Sequence, residues 1–149
     1  MKTKMTIKNQ KGAAVVEFAI VLSLLVLLVI GAIEFGILYY NKQVITNASR
    51  EGARAGIIAF DSDYYLANVP IQDIVINYCK KHLITFSGSP DLVYADVVLD
   101  PTDRSTSVFG DAFKVTVTYD YDFLVPSLFG FGDILTISAT TMMKREGSL

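Results

Sequence analysis

Phe18-Ala19-Ile20-Val21-Leu22-Ser23-Leu24-Leu25-Val26-Leu27-Leu28-Val29-Ile30-Gly31-Ala32-Ile33 is a run of sixteen residues without a charge. It has no polar face to turn toward water, which sets it apart from the amphipathic helix of a soluble core. With its flanks the run extends from Ala13 to Tyr40. As a helix that is roughly 42 Å at ~1.5 Å per residue, enough for a bilayer with its headgroups. A removable secretory signal has an apolar core of only ~7 to 15 residues followed by a small-residue cleavage site. The segment is therefore expected to stay attached and to cross the membrane once.

Charge sets the direction of crossing. Lys2, Lys4, Lys8 and Lys11 precede the run, with no acid among the first eleven residues, and short basic flanks stay on the cytoplasmic side. Phe35, Tyr39 and Tyr40 close the other end with rings suited to the membrane interface. The expected organisation is a basic leader at 1–12, a transmembrane helix at 13–40 and an exported domain at 41–149, in which 41–58 continues the helix. A chain of 149 residues then has room for one modest exported domain. Cys79 is the only cysteine, so no internal disulfide can form and core filling is its expected role. A formal charge of -2, with no basic patch beyond the leader, speaks against nucleic acid as a partner.

Helix-compatible sequence continues through Asn41 to Ile58, and Asp61 and Asp63 then open a loop. Ala48, Gly52 and Gly56 recur every four residues, a strip of minimal side chains that admits a close neighbour. Glycines inside a helix cost up to ~1 kcal/mol each relative to alanine, so close packing must offset them. The neighbour is either the chain's own sheet or another subunit. Asn68 and Pro70 start a short amphipathic helix with Ile71, Ile74, Val75, Tyr78, Cys79 and His82 on one face, and Ser87, Gly88, Ser89 and Pro90 follow it.

The period then changes to two. Val93, Ala95, Val97 and Leu99 alternate with Tyr94, Asp96 and Val98. Phe113, Val115, Val117, Tyr119, Tyr121 and Phe123 alternate more cleanly with Lys114, Thr116, Thr118, Asp120 and Asp122, as a half-buried strand requires. A third run, Ile134 to Met143, follows a loop with Pro126, Gly130 and Gly132. The expected fold class is α+β. A long N-terminal transmembrane helix extends into a small exported domain holding a short helix and a three-stranded antiparallel sheet.

Gly12-Ala13-Ala14-Val15-Val16-Glu17-Phe18 marks the entry to the span. A charged carboxylate inside an apolar span is unfavourable by a few kcal/mol near the bilayer centre, less at the interface, so Glu17 calls for a reason. The stretch resembles the processing site of type IV pilin-like proteins, in which a basic leader ends in glycine and a glutamate stands fifth after it. Adding Gly31-Ala32-Ile33-Glu34-Phe35-Gly36 and Thr46-Asn47-Ala48-Ser49-Arg50-Glu51-Gly52-Ala53-Arg54-Ala55, the sequence is similar to the TadE-like pseudopilins of tight-adherence (Flp) pilus systems over about its first third. Ser23 stands where relatives often carry proline, so a kink there is not expected.

The resemblance implies that a prepilin peptidase cuts after Gly12 and makes Ala13 the N-terminus. Loss of the four leader lysines leaves nine basic side chains against fifteen acids, a side-chain charge of -6. It further implies a pilus-supporting subunit of the bacterial inner membrane, with the assembly machinery and other pilin-like subunits as partners. The ammonium released at Ala13 and the carboxylate of Glu17 would favour one another in a low-dielectric contact between neighbouring helices. The other reading is an unprocessed, membrane-anchored module that binds a ligand or envelope component.

The remaining polar residues carry weaker signals. Glu34 lies seventeen residues beyond Glu17, roughly 25 Å along the helix, near the opposite interface. Glu51 and Arg54 have the i, i+3 spacing of a surface ion pair, and with Arg50 they alternatively meet a partner. Asp61 with Asp63, and Asp96, Asp100 and Asp103, lack the spacing of a calcium loop. His82, the sole histidine, is placed on the apolar face as a packed residue. No nucleophile, base and orienting acid assemble around it, so no enzyme activity, metal or cofactor is expected.

Overall fold

The computed structural model describes residues 10–58, 68–85, 91–102, 110–123 and 134–144, with side chains from Gly12 onward in the first segment and from Pro70 in the second. Helix α1 runs unbroken over Gln10–Ile58. Ser23 does not interrupt it, because its hydroxyl donates back to the Ile20 carbonyl at 2.9 Å and is satisfied within the helix. Helix α2 spans Asn68–His82, with Lys80, Lys81 and His82 in the last turn, where positive charge suits the dipole. Three strands follow, β1 (Val97–Asp100), β2 (Ala112–Asp122) and β3 (Ile134–Lys144), in the antiparallel order β1-β2-β3. Gly110 leads into β2 with φ 89°, a left-handed conformation that glycine adopts without strain.

The outer part of α1 lies against one face of this sheet, and α2 packs on α1 and toward β1. Phe113, Val115, Val117, Tyr119 and Tyr121 of β2 are buried there, the face that alternation assigns to the core. From α1 come Ile45, Ala48 and Ala53, and from α2 come Ile71, Val75, Ile76 and Cys79. Burial pushes the Cys79 thiol up to about 11, in keeping with a core position.

Two details differ from the sequence reading. Strand β1 begins at Val97 rather than Val93, because Tyr94–Asp96 close a 3-10 turn. Asp96 causes this by accepting the Val93 amide at 2.8 Å, a local bond that competes with strand pairing. Gln72 of α2 fastens the turn by donating to the carbonyls of Tyr94 and Val97. The buried face of α2 also differs from the expected one. Its buried stripe passes through Ile71, Val75, Ile76 and Cys79, whereas His82 is exposed. His82 stacks on Tyr78 with ring centroids 4.4 Å apart and is not a packed core residue.

Asp61, Asp63, Asp103, Pro126, Gly130, Gly132 and the stretch from Ser87 to Pro90, all expected in loops, lie outside the described residues. Asp100 forms an ion pair with Lys114 at 2.9 Å across the β1–β2 ladder.

Candidate functional site

Every residue from Gly12 to Ile30, and Ala32 and Ile33 beyond them, is exposed, and Gly31 is intermediate. No part of the apolar window is buried within the structure. The helix is long and apolar enough to cross a membrane once. Glu17 and Phe18 stand exposed near its start. The leader lysines Lys2, Lys4 and Lys8 lie outside the described residues, and only the backbone of Lys11 is placed.

The glycines of α1 divide by what surrounds them. A Cβ on Gly52 would stand 2.5 Å from Val75 Cγ2, and one on Gly56 would stand 2.1 Å from Phe113 Cε1. Both are closer than real Cβ atoms approach, so these positions are glycine because the chain's own sheet and α2 press on them. Ala48 is fully buried in the same core. Of the two neighbours that the spacing leaves open, the chain's own sheet takes this strip, together with α2, and the place of another subunit is filled from within. A Cβ on Gly12, Gly31 or Gly36 would meet nothing within 4 Å. Among the described residues, packing gives no reason for glycine at those three positions.

The α+β domain covers more of the helix than composition indicates. Glu34 is buried and lies close enough to Tyr121 that its charge, after burial, helps raise the tyrosine's hydroxyl pKa. Ile37 and Leu38 pack against the core. The acid read as interfacial is therefore enclosed by protein, and the stretch from Glu34 to Tyr40 is shared between span and domain. The bare helix from Ala13 to Ile33, twenty-one residues, is roughly 31 Å long, close to the ~30 Å hydrocarbon core of a bilayer.

Asn41, which sequence reasoning passed over, joins the helix to the chain after α2. Its Nδ2 donates to the Ile84 carbonyl at 2.8 Å, and its Oδ1 accepts the Ile84 amide at 3.0 Å. Nothing in local spacing announces a partner forty-three residues away. Asn41→Ala should destabilise the folded chain by about 2 kcal/mol, because it removes two hydrogen bonds and opens a gap at a fully buried position. Thermal denaturation in detergent micelles measures this, and an unchanged midpoint would show the clamp to be dispensable. Nearby, the Ser49 hydroxyl donates to Thr46 O and is joined to Thr141 Oγ1 at 2.7 Å, while Lys42 donates to Ser138 O. These bonds lock β3 to the helix. Arg50, Glu51 and Arg54 are all exposed, and no ion pair joins Glu51 to Arg54, so the expected pair is not formed. Among the described residues no three or more His, Cys, Asp or Glu gather in the manner of a metal site.

Residues 12–54 match the family model described as TadE-like protein. This segment is TadE-like. The TadE-like stretch begins at Gly12 and ends inside the buried part of α1, just past Gly52. It takes in all three signatures read from the sequence, though the last residue of the third, Ala55, lies one position beyond the match. Neither a curated protein nor a solved structure matches the chain. The helix that carries the TadE-like match has the form of a single-pass membrane anchor.

Proposed function

We propose that the chain is a non-enzymatic, minor pilin-like (pseudopilin) subunit that supports assembly of a Tad/Flp adhesion pilus. It is made in the bacterial inner membrane with its N-terminus in the cytoplasm and its α+β domain on the far side. A prepilin peptidase removes Met1 to Gly12, and the subunit then associates with other pilin-like subunits and the assembly machinery. The carrying observation is Gly12 itself. It stands at the head of a bare TadE-like helix, a side chain there would touch nothing, and Glu17 follows at the fifth position. A glycine without a reason inside the fold fits recognition by an outside agent.

Gly31 and Gly36 are open in the same way. They support close approach of a second helix within or beside the membrane, where small residues let backbones meet. Arg50, Glu51 and Arg54 are unpaired with one another and face outward for contact with a partner. Intact mass of the protein isolated from its native host tests the reading. Loss of Met1 to Gly12, leaving Ala13 first, is the expected result. A full-length chain would instead support the unprocessed anchor that displays a binding module.

A further inference from the structure

The sheet and the bare helix end at the same level. Along β3, Thr141 is bonded to Ser49 and Ser138 to Lys42, so moving back along the strand means moving down the helix toward the membrane. Tyr121, which lies beside Glu34, pairs with Leu135, and Asp122 pairs with Ile134. The β2–β3 end thus reaches the first buried residue of α1, Glu34, one residue after Ile33. At this end the sheet and helix expose large apolar side chains: Phe35 at 68%, Tyr39 at 67%, Ile134 at 68% and Leu135 at 42%. An open groove of about 420 Å³ lies just above, between Phe35 and Tyr39 of the helix and Ile137 of β3. The opposite end of the same hairpin carries Ala112 and Lys144.

We infer that the base of the exported domain is seated in the interfacial layer of the bilayer, with Phe35, Tyr39, Ile134 and Leu135 in contact with lipid. This rests on the single-pass anchor. The patch is continuous with the lipid-facing surface of α1, and its aromatic rings are of the kind that settle at headgroup depth. A bare helix of roughly 31 Å fills the hydrocarbon core and brings the patch to the surface without tilt or stretch. Because α1 holds the patch there, contact is intramolecular and needs little buried area to persist. The domain therefore lies against the membrane and is not held off it on a stalk.

The chain contains no tryptophan, so a single introduced indole reports one position. Leu135→Trp, Ile134→Trp, Met142→Trp and Leu25→Trp variants of the full chain are placed in vesicles of phosphatidylethanolamine and phosphatidylglycerol, with or without lipids brominated in the upper or in the lower part of the acyl chain. Indole at 134 or 135 should be quenched by the brominated lipid and be severalfold less open to iodide than indole at 142, which is also exposed but lies toward the far end of β3. Equal iodide quenching at 135 and 142, without bromine quenching at either, would overturn the seating. Protection at 135 that grows with protein density and ignores bromine would assign the patch to a second copy and overturn it as well. Indole at 25 should be quenched by bromine whether or not the domain is seated. Its failure to do so would remove the anchor itself, an outcome distinct from loss of the seat.

Discussion

Gly56→Ala should lower stability by about 2 kcal/mol, although alanine is the better helix former by about 1 kcal/mol. The sign is decided by Phe113. Its ring is 4% exposed, and three of its atoms lie 2.1, 2.5 and 2.9 Å from where the new methyl would sit. Overpacking of a closed core costs about 1 to 3 kcal/mol, and a buried ring against a helix backbone belongs at the upper end. For a domain of this size the melting midpoint should fall by on the order of 10 °C. Gly36→Ala provides the opposite case in the same helix. No atom waits within 4 Å of its Cβ, so the folded chain should be as stable or slightly more so. Equal behaviour of the two variants in thermal unfolding would mean that Phe113 does not set the requirement at Gly56.

Glu17→Ala should leave membrane insertion intact and reduce association with other pilin-like subunits at least tenfold. Insertion is spared because the substitution removes the least favourable side chain from an otherwise apolar segment. Association suffers because the ammonium that processing would create at Ala13 loses its counter-charge, and breaking one side of a desolvated ion pair costs about 3 to 5 kcal/mol when fully buried, less at a membrane edge. Ala13 and Glu17 are also one helical turn apart in the same chain. Glu17→Gln keeps shape and hydrogen bonding without the charge, so it should fail nearly as badly as alanine. Site-directed crosslinking in native membranes gives the association, and intact mass checks that the leader is still removed. Unchanged insertion and unchanged crosslinking together would defeat the pairing role.

Elements with a strong period were legible from residues alone. The uncharged run gave the exposed helix, and the eleven-residue alternation gave β2 with its buried face as observed. What failed depended on partners distant in sequence. Asp96 looks like a strand residue until its bond to Val93 is seen, and α2 buries Ile76 while exposing His82, which the spacing of its apolar residues does not announce. Glu34 was read from its distance along the helix, which says nothing about a sheet descending to cover it. The small residues at 48, 52 and 56 announced close packing without naming the neighbour. At the candidate site the gain ran the other way: Gly12 was picked out by motif, and only the surrounding empty space separated it from glycines explained by the fold.

The unbroken course of α1 has a mechanical meaning. The same rigid rod that lies in lipid also forms one wall of the domain, with no joint between them. A tilt or rotation imposed on the buried segment would swing the whole head by the same angle, and an axial pull on the head would load the hydrogen bonds of Lys42 and Ser49 in shear. Such a chain has no swivel, so the orientation of the helix within the bilayer fixes that of the domain beyond it.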